Sequence, residues 1–298
     1  MKVNFECNLC SSKEGNTIPF RYKFKDKFLW AVKCCSCELV SIWPRPTDEE
    51  IVEMYASDYF TGDDKNTHHM EVAYVDLLQV DYSEGVKQMK KYTQNGNILD
   101  VGCATGNFLF ALKNNGFNVK GIELSSYAAE FGRNKFGIDI INKPFDFNLL
   151  GNELEENYFD VVLMGDVLEH FTNPTEAMQL TNKILKPGGV ALIQLPGTLN
   201  LLSSKLGFMV YKLIGSQKTM YIPPFHLTEF SAKTATNMFK KCGFTKTVIN
   251  QEVKHPSTIP LRGSFLENTF KYVFQHINFY LTKWFGVAGD RINIETYK

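Results

Sequence analysis

An α/β fold, in which a mostly parallel sheet carries helices on both faces, is predicted by three observations. From about residue 96 onward, short apolar runs alternate with amphipathic stretches. Strand and helix signals repeat in turn, and such repetition requires crossover helices between parallel strands. The N-terminal zone differs in kind, because five of the seven cysteines fall within the first 45 positions. In a chain with no export signal, such clustering reads as metal ligation or free thiols rather than disulfides.

The first unit, residues 1–45, contains Cys7-x-x-Cys10 and Cys34-x-x-Cys37, two knuckles with 23 residues between them. Two such pairs supply four thiolates to a tetrahedral ion, with zinc expected and a rubredoxin-like iron as the alternative. Four thiolates leave no open position, so the site is expected to be structural. Cys35 is adjacent but off the pattern. The second unit, 46–95, reads as a helical linker or cap. Pro44 and Pro46 break the chain before it, and Thr47-Asp48-Glu49-Glu50 has the capping-box pattern.

The third unit, 96–298, carries the alternating pattern. Strands are expected at 97–101, 118–122, 138–141, 159–164 and 189–195, with helices at 106–115, 126–136 and 174–185. Lys186-Pro187-Gly188-Gly189 closes the last of these helices and turns the chain into the next strand. Residues 244–253 and 291–297 read as the final two strands, separated by a helical insert at about 264–287.

Composition bounds the function. The 298 residues fit one α/β catalytic domain with small additions, and 44 % apolar content is ordinary for a globular chain. With 32 basic and 32 acidic residues the net charge is zero, which argues against a nucleic-acid partner. The opening MKVNFECNLCSS lacks the apolar core of a signal peptide. The longest apolar stretch, Leu199 to Ile214, is interrupted by Lys205 and Lys212, so no membrane span is expected. A cytoplasmic location follows as the default.

The chemistry begins at NILDV, residues 97–101, which runs into Gly102-Cys103-Ala104-Thr105-Gly106 and a helix. Small residues at a strand-to-helix turn let a nucleotide-like ligand approach the backbone, and the helix start offers free N–H groups. Glu123 ends the next strand about twenty residues on, where an acid can accept both hydroxyls of a ribose. A dinucleotide fingerprint would place Gly at 104 and 107, where this chain has Ala and Asn.

LDVGCATGNF resembles motif I of the class I S-adenosylmethionine-dependent methyltransferases. GIELS resembles their second motif, FDVVLMGDVLEHFTNPTEAM the fourth-strand motif, and LKPGGVALIQLP the segment ending in the fifth strand. PFHLTEFSAKTATNMFKKCGF resembles the segment that follows in the ubiquinone-biosynthesis-like subfamily. These motifs cover roughly residues 96–253. The resemblance implies a Rossmann-like, seven-stranded sheet and S-adenosylmethionine as donor. It implies that Asp100 holds the donor's methionine end and that Gly102, Cys103 and Gly106 form its loop. It places Glu123 on the ribose, with Leu124, Gly165 and Asp166 as further donor contacts. Ala104 departs from the common Gly. Asp146, in KPFDF, is the candidate for the adenine amino group. The N-terminal unit, followed by WPRPTDEEIVEMYASDYF, resembles the zinc-ribbon head of some sugar-modifying methyltransferases, although those chains are usually longer. In related enzymes aromatic residues such as Tyr55, Tyr59 and Phe60 cover the donor; ordinary helix packing is the alternative.

Methyl transfer depends chiefly on alignment, and a base can assist the acceptor. His170, after Glu169 at the carboxyl end of the fourth strand, and His226, in PPFHLTEF, are the general-base candidates. Each also has a structural reading, His170 lining the donor and His226 orienting its loop; Asp166 and Glu169 can equally be solvated or capping acids. The expected acceptor is a small molecule such as a sugar, a polysaccharide component or a lipid-linked precursor. Leu266, Phe270, Val273, Phe274, Ile277, Leu281, Trp284 and Phe285 follow helical spacing. That apolar face is expected to pack on the domain of a monomer or on a homodimer partner. Peripheral membrane contact is the other reading. A nicotinamide-dependent oxidoreductase and a non-catalytic zinc-ribbon adaptor that keeps the fold remain as alternatives.

Overall fold

The computed structural model describes residues 2–54, 80–258 and 265–298. Tyr55, Tyr59 and Phe60 lie outside the described residues, as does the side chain of Leu266. Two sheets organise the chain. The larger has seven strands: β5 (Asn97–Val101), β6 (Asn118–Ile122), β7 (Asp139–Ile141), β8 (Phe159–Gly165), β9 (Leu185–Pro196), β12 (Lys246–Glu252) and β13 (Arg291–Tyr297). Their spatial order is β12-β13-β9-β8-β5-β6-β7. The five strands from β9 to β7 run parallel, and β13 is antiparallel to both of its neighbours. This is the mostly parallel, Rossmann-like sheet that the alternating pattern requires.

Burial on both faces explains the apolar runs. One face is covered by α2 (Ser83–Met89), α3 (Asn107–Asn114) and α4 (Ser126–Phe136), which bring Val86, Met89, Leu109, Leu112, Ala129 and Phe136 onto Ile98 and Val161. On the other face, α5 (Pro174–Ile184) and α7 (Ala232–Lys241) bring Met178, Leu180, Met238 and Phe239 onto Leu99, Val162 and Ala191. The helix ends follow local chemistry. Ser125 accepts from the Ala128 N–H, and Gly137 ends α4 at φ 60°. Asn173 caps α5, with Pro174 following, and Ser231 and Thr234 form a capping box on α7. Thr47 and Glu50 make the predicted reciprocal pair at the start of α1 (Asp48–Met54), at 3.3 and 2.9 Å.

The segment 186–189 differs from its expected place between elements. β9 already pairs Leu185 with Phe159, and the four residues are absorbed as an irregularity before Val190 pairs with Val161. Gly188 supplies the left-handed turn, at φ 80°.

The smaller sheet holds β1 (Lys2–Asn4), β2 (Glu14–Phe24), β3 (Lys27–Cys34) and β4 (Val40–Trp43) from the cysteine-rich unit. It also takes two strands from far along the chain. β10 (Lys218–Met220) lies parallel to β2, and β11 (Thr228–Glu229) lies antiparallel to β4. The knuckle at 7–10 is fastened to α5: Asn8 Nδ2 donates to the Thr172 carbonyl at 2.6 Å, and Thr175 Oγ1 donates to the Asn8 carbonyl at 2.9 Å. Arg45 also donates to the Thr172 carbonyl, and Lys241 Nζ to that of Leu9 at 2.6 Å. Between β9 and β10 runs α6 (Leu202–Leu213), and between β12 and β13 runs α8 (Phe265–Phe285). The two touch where the Leu202 N–H donates to Asn278 Oδ1, 3.1 Å.

Thr175 is buried, and its hydroxyl is the donor to Asn8. Thr175→Val keeps the shape and leaves that carbonyl short of a partner. A loss of about 1–3 kcal/mol in urea unfolding is expected, and an unchanged midpoint would show that the knuckle is not clamped there.

Candidate functional site

The carboxyl ends of β5, β6 and β8 form one rim, the usual ligand crevice of an open α/β sheet. The loop after β5 carries three left-handed residues: Gly102 at φ 77°, Ala104 at 48° and Gly106 at 74°. A Cβ on Gly102 would also meet Val167 Cγ2 at 2.5 Å, so this glycine seats the loop against the turn after β8. Gly106 is the N-cap of α3. Glu123, buried at the end of β6, holds the loop from beneath. Its Oε2 accepts the Ala104 N–H at 2.9 Å and its Oε1 the Ser125 N–H at 2.8 Å. Burial nevertheless pushes its carboxyl upward in pKa. Cys103 is buried, and burial followed by the charges of Asp100 and Glu123 raises its thiol.

Asp100 stands at the wall of a cavity of about 630 Å³, with Gly102, Phe108, Gly165 and Gln194 also in the lining. Burial, and then the charge of Glu123, push its carboxyl up to about 7. Such a cavity is the size of a typical small-molecule site. Leu124 is exposed on the same rim. Asn142, which the sequence reading did not single out, donates through Nδ2 to the carbonyls of Glu123 and Leu124 at 2.7 and 2.9 Å. It fixes the β6 end from the neighbouring strand. Asp146 lies apart: it caps a single turn by accepting from the Asn148 N–H at 2.8 Å and lines a separate cavity of about 270 Å³. Asp166, at φ 54°, is paired with Arg291 of β13.

His170 and His226 come together although 55 residues separate His170 from the neighbouring Phe225. Their rings meet edge to face with centroids 5.0 Å apart. His170 ends a short turn, Leu168–His170, and its Nδ1 donates to the Phe225 carbonyl at 2.8 Å. His226 reaches the site because β11 is pinned to β4. The Leu227 N–H donates to the Glu169 carbonyl at 2.9 Å, and the Leu227 carbonyl accepts the Ile42 N–H at 3.0 Å. Glu169 is 1 % exposed, and neither carboxylate oxygen has a hydrogen-bond partner. Burial pushes it up to about 8 and Glu229 up to about 7. Burial, and then His226, push His170 down to about 4, and burial also lowers His226. Glu229 and Arg291 are further members that the sequence reading missed. Glu229 lies three residues after His226, and Arg291 opens the last strand, but no local pattern joins either to Glu169 or Asp166.

The four knuckle sulfurs converge within 4.8 Å of one another. Cys7 and Cys37 Sγ are 3.4 Å apart, and Cys10 and Cys34 Sγ 3.5 Å. Tetrahedral ligands at about 2.3 Å from an ion stand roughly 3.8 Å apart, so the set fits one ion after slight expansion. Cys35 points elsewhere and accepts from Asn16 Nδ2 at 3.2 Å.

With this geometry in view, the family model described as a methyltransferase domain matches residues 68–248, more than half of the chain. The chain belongs to the methyltransferase-domain family. A ubiquinone biosynthesis O-methyltransferase from Pseudomonas entomophila is 30 % identical over 95 residues, 31 % of this chain and 40 % of that one. The chain therefore spans well under half the length of that curated relative. An uncharacterized protein of Methanocaldococcus jannaschii is 26 % identical over 204 residues, 68 % of this chain and 85 % of its own. The crystal structure of a SAM-dependent methyltransferase from Archaeoglobus fulgidus superposes with TM-score 0.50 and 18 % identity. It covers 76 % of this chain and 98 % of that one, a likeness of fold.

The glycine loop makes a prediction of opposite signs. Gly102→Ala adds a Cβ both at positive φ and onto Val167, for an expected loss of about 2 kcal/mol or more. Ala104→Gly relieves a left-handed alanine at about 1–2 kcal/mol and returns part of that as unfolded-chain entropy. It is expected to gain about 0.5–1 kcal/mol. Thermal melts of the two variants read both, and a destabilised Ala104→Gly would refute the strained-loop account.

Proposed function

We propose that the chain transfers a methyl group from S-adenosylmethionine to a small-molecule acceptor. The observation that carries this reading is the pairing of Asp100, at a cavity wall, with a left-handed loop whose amide is held by Glu123. The family supports it. The donor, when bound, supplies an activated methyl on a positively charged sulfonium. The residues supply orientation. Asp100 would accept the donor's ammonium. Glu123 keeps lone pairs beyond its two backbone bonds and would accept ribose hydroxyls; a dinucleotide 2′-phosphate would meet its charge. Gly102, Cys103 and Gly106 shape the floor, with Leu124 and Gly165 at its edges. Asp166 contributes by fixing the β8 turn through Arg291, and Asp146, on its separate turn, would serve the adenine only from the far end of the rim. Alignment of this kind can remove roughly 7–11 kcal/mol of a bimolecular barrier.

His170 and His226 flank the β8 end on the acceptor side, where loss of the acceptor's proton would be promoted. Zinc is the proposed ion of Cys7, Cys10, Cys34 and Cys37, closed and structural. A nicotinamide oxidoreductase would bind NAD at the same loop, so calorimetry decides: S-adenosylmethionine or its demethylated product should bind, and NAD should not. The pH dependence has a defined sign. Burial, and then the charge of Glu123, hold the Asp100 carboxyl up at about 7, whereas an ammonium partner favours its ionised form. Donor binding below pH 7 must therefore expel a proton. Affinity is expected to climb about tenfold per pH unit from roughly 5.5 to 7 and to level off above it. Asp100→Asn should lose both the affinity and the slope; a retained slope in that variant would remove Asp100 from the site.

A lipid-linked acceptor is favoured by the outer faces of α6 and α8. Met209, Val210, Leu213 and Ile214, and Phe270, Val273, Trp284 and Phe285, are exposed. Among the described residues no helix is long and apolar enough to cross a membrane, so contact would be with a surface. Flotation with anionic liposomes should carry the protein upward, and Leu213→Glu with Trp284→Glu should abolish it. Sedimentation of the parent protein away from liposomes of every composition would leave a water-soluble acceptor.

A further inference from the structure

The cluster beyond the glycine loop has the makings of a second ion site. We infer that Glu169, His170 and His226 hold one divalent transition-metal ion, which receives an acceptor through two neighbouring oxygens. The acceptor half rests on the methyl-transfer reading; the ion half does not.

The first support is geometric. The Nε2 atoms of His170 and His226 face the same oxygen, Glu169 Oε1, at 3.7 and 4.0 Å. Those separations are too long for hydrogen bonds. Ligands held at about 2.1 Å from a shared ion stand roughly 3–3.5 Å apart at octahedral or tetrahedral angles, and farther as the angle opens. One candidate ligand atom from each residue lies within 4.8 Å of the others.

The second support is the unpartnered carboxyl group. Glu169 is 1 % exposed, and both of its oxygens lack a hydrogen-bond partner. Native interiors avoid a carboxylate in that position unless a cation or a set of donors meets it. The charged groups acting on it are Asp166, Glu229 and Arg291, and Arg291 is already paired with Asp166.

One surrounding group supports a ligating imidazole directly, and a second lies near without a hydrogen bond: Glu229 Oε1 is 3.9 Å from His226 Nδ1, and its other oxygen is without a partner. The Phe225 carbonyl accepts from His170 Nδ1 at 2.8 Å. A carboxylate or carbonyl behind the second ring nitrogen is the common way to orient a metal-bound histidine. Two imidazoles and one carboxylate favour Mn, Fe, Co, Ni or Zn over Mg or Ca, and three protein ligands leave positions open. Gly165, four residues before Glu169, lines the glycine-loop cavity.

An acceptor with vicinal hydroxyls, such as a diol or a catechol-like ring, would chelate there. The ion acidifies the bound hydroxyl. Its O–H bond breaks and the proton leaves to water; an O–CH3 bond forms as the C–S bond breaks, its electron pair neutralising the sulfonium.

The test titrates the full chain, with its four-cysteine ion left in place, with Mn2+ and follows free Mn2+ by EPR. Mn2+ prefers nitrogen and oxygen ligands, which separates this site from the thiolates. One Mn2+ per chain is expected, with binding weakened at least tenfold in Glu169→Gln and in His226→Ala. Melting temperatures without Mn2+ should be unchanged or raised in Glu169→Gln, and the Mn2+-induced rise should disappear. If that buried variant does not fold, His226→Ala carries the comparison. Catechol should alter the bound-Mn2+ spectrum and phenol should not. No saturable Mn2+ site, or undiminished binding in the folded variants, overturns the inference. Donor calorimetry run in parallel separates the two readings: a bound donor without Mn2+ defeats only the ion, and bound Mn2+ without a donor defeats only methyl transfer.

Discussion

Leu227 uses both halves of its peptide group to join two parts of the molecule. Its N–H is given to the Glu169 carbonyl and its carbonyl takes the Ile42 N–H. Backbone groups must find partners wherever they are buried, and here one partner lies in the turn after β8 and the other in the cysteine-rich sheet. The turn after β8, the β11 edge and the cysteine-rich sheet are thereby fixed relative to one another. His226 and Glu229 flank Leu227, so both side chains are delivered to Glu169 by main-chain bonds that no side-chain substitution removes.

The two ends of the site are built on different physical terms. At the glycine loop, polar groups are answered internally: Glu123 takes the amides of Ala104 and Ser125, and Asn142 closes the carbonyls behind it. The loop is thus in its working shape before anything binds, which lowers the cost of ordering. At the β8 turn the reverse holds. Glu169 and Glu229 keep oxygens without partners in a buried setting, and the site stays chemically unfinished. Arg291 neutralises Asp166 from the last strand, tying the sheet's far edge to the same turn.

Much of this was legible in the sequence. NILDV, NVKGI and RINIETY are strands at their expected bounds, because each run has the length and the apolar content of a sheet strand. Glu123, expected on a ribose, accepts the Ala104 and Ser125 amides at the glycine loop, and the four knuckle cysteines converge. The remainder depends on long-range pairing. Nothing in KTM or TE, each too short to show a period, announces that these segments complete the N-terminal sheet. Glu229 carries no local signal of its place, which follows from the pairing of β11 with β4. Lys186–Gly189 carries every mark of a turn, and the turn is there, but the ladder closes on both sides of it.

The parallel pairing of β10 with β2 has a consequence for how the chain comes together. Arg21 Nε meets Thr219 Oγ1 at 3.0 Å across 198 positions of sequence. A chain emerging from its N-terminus presents the cysteine-rich hairpins first, yet their sheet lacks two strands until more than two thirds of the polypeptide exists. Contacts of such separation close slowly, since the entropy of the intervening loop must be lost before they form. Until then the outer edges of β2 and β4 stand open to other chains. Early capture of an ion by the four thiols would give this waiting segment a compact form while its missing strands are still being made.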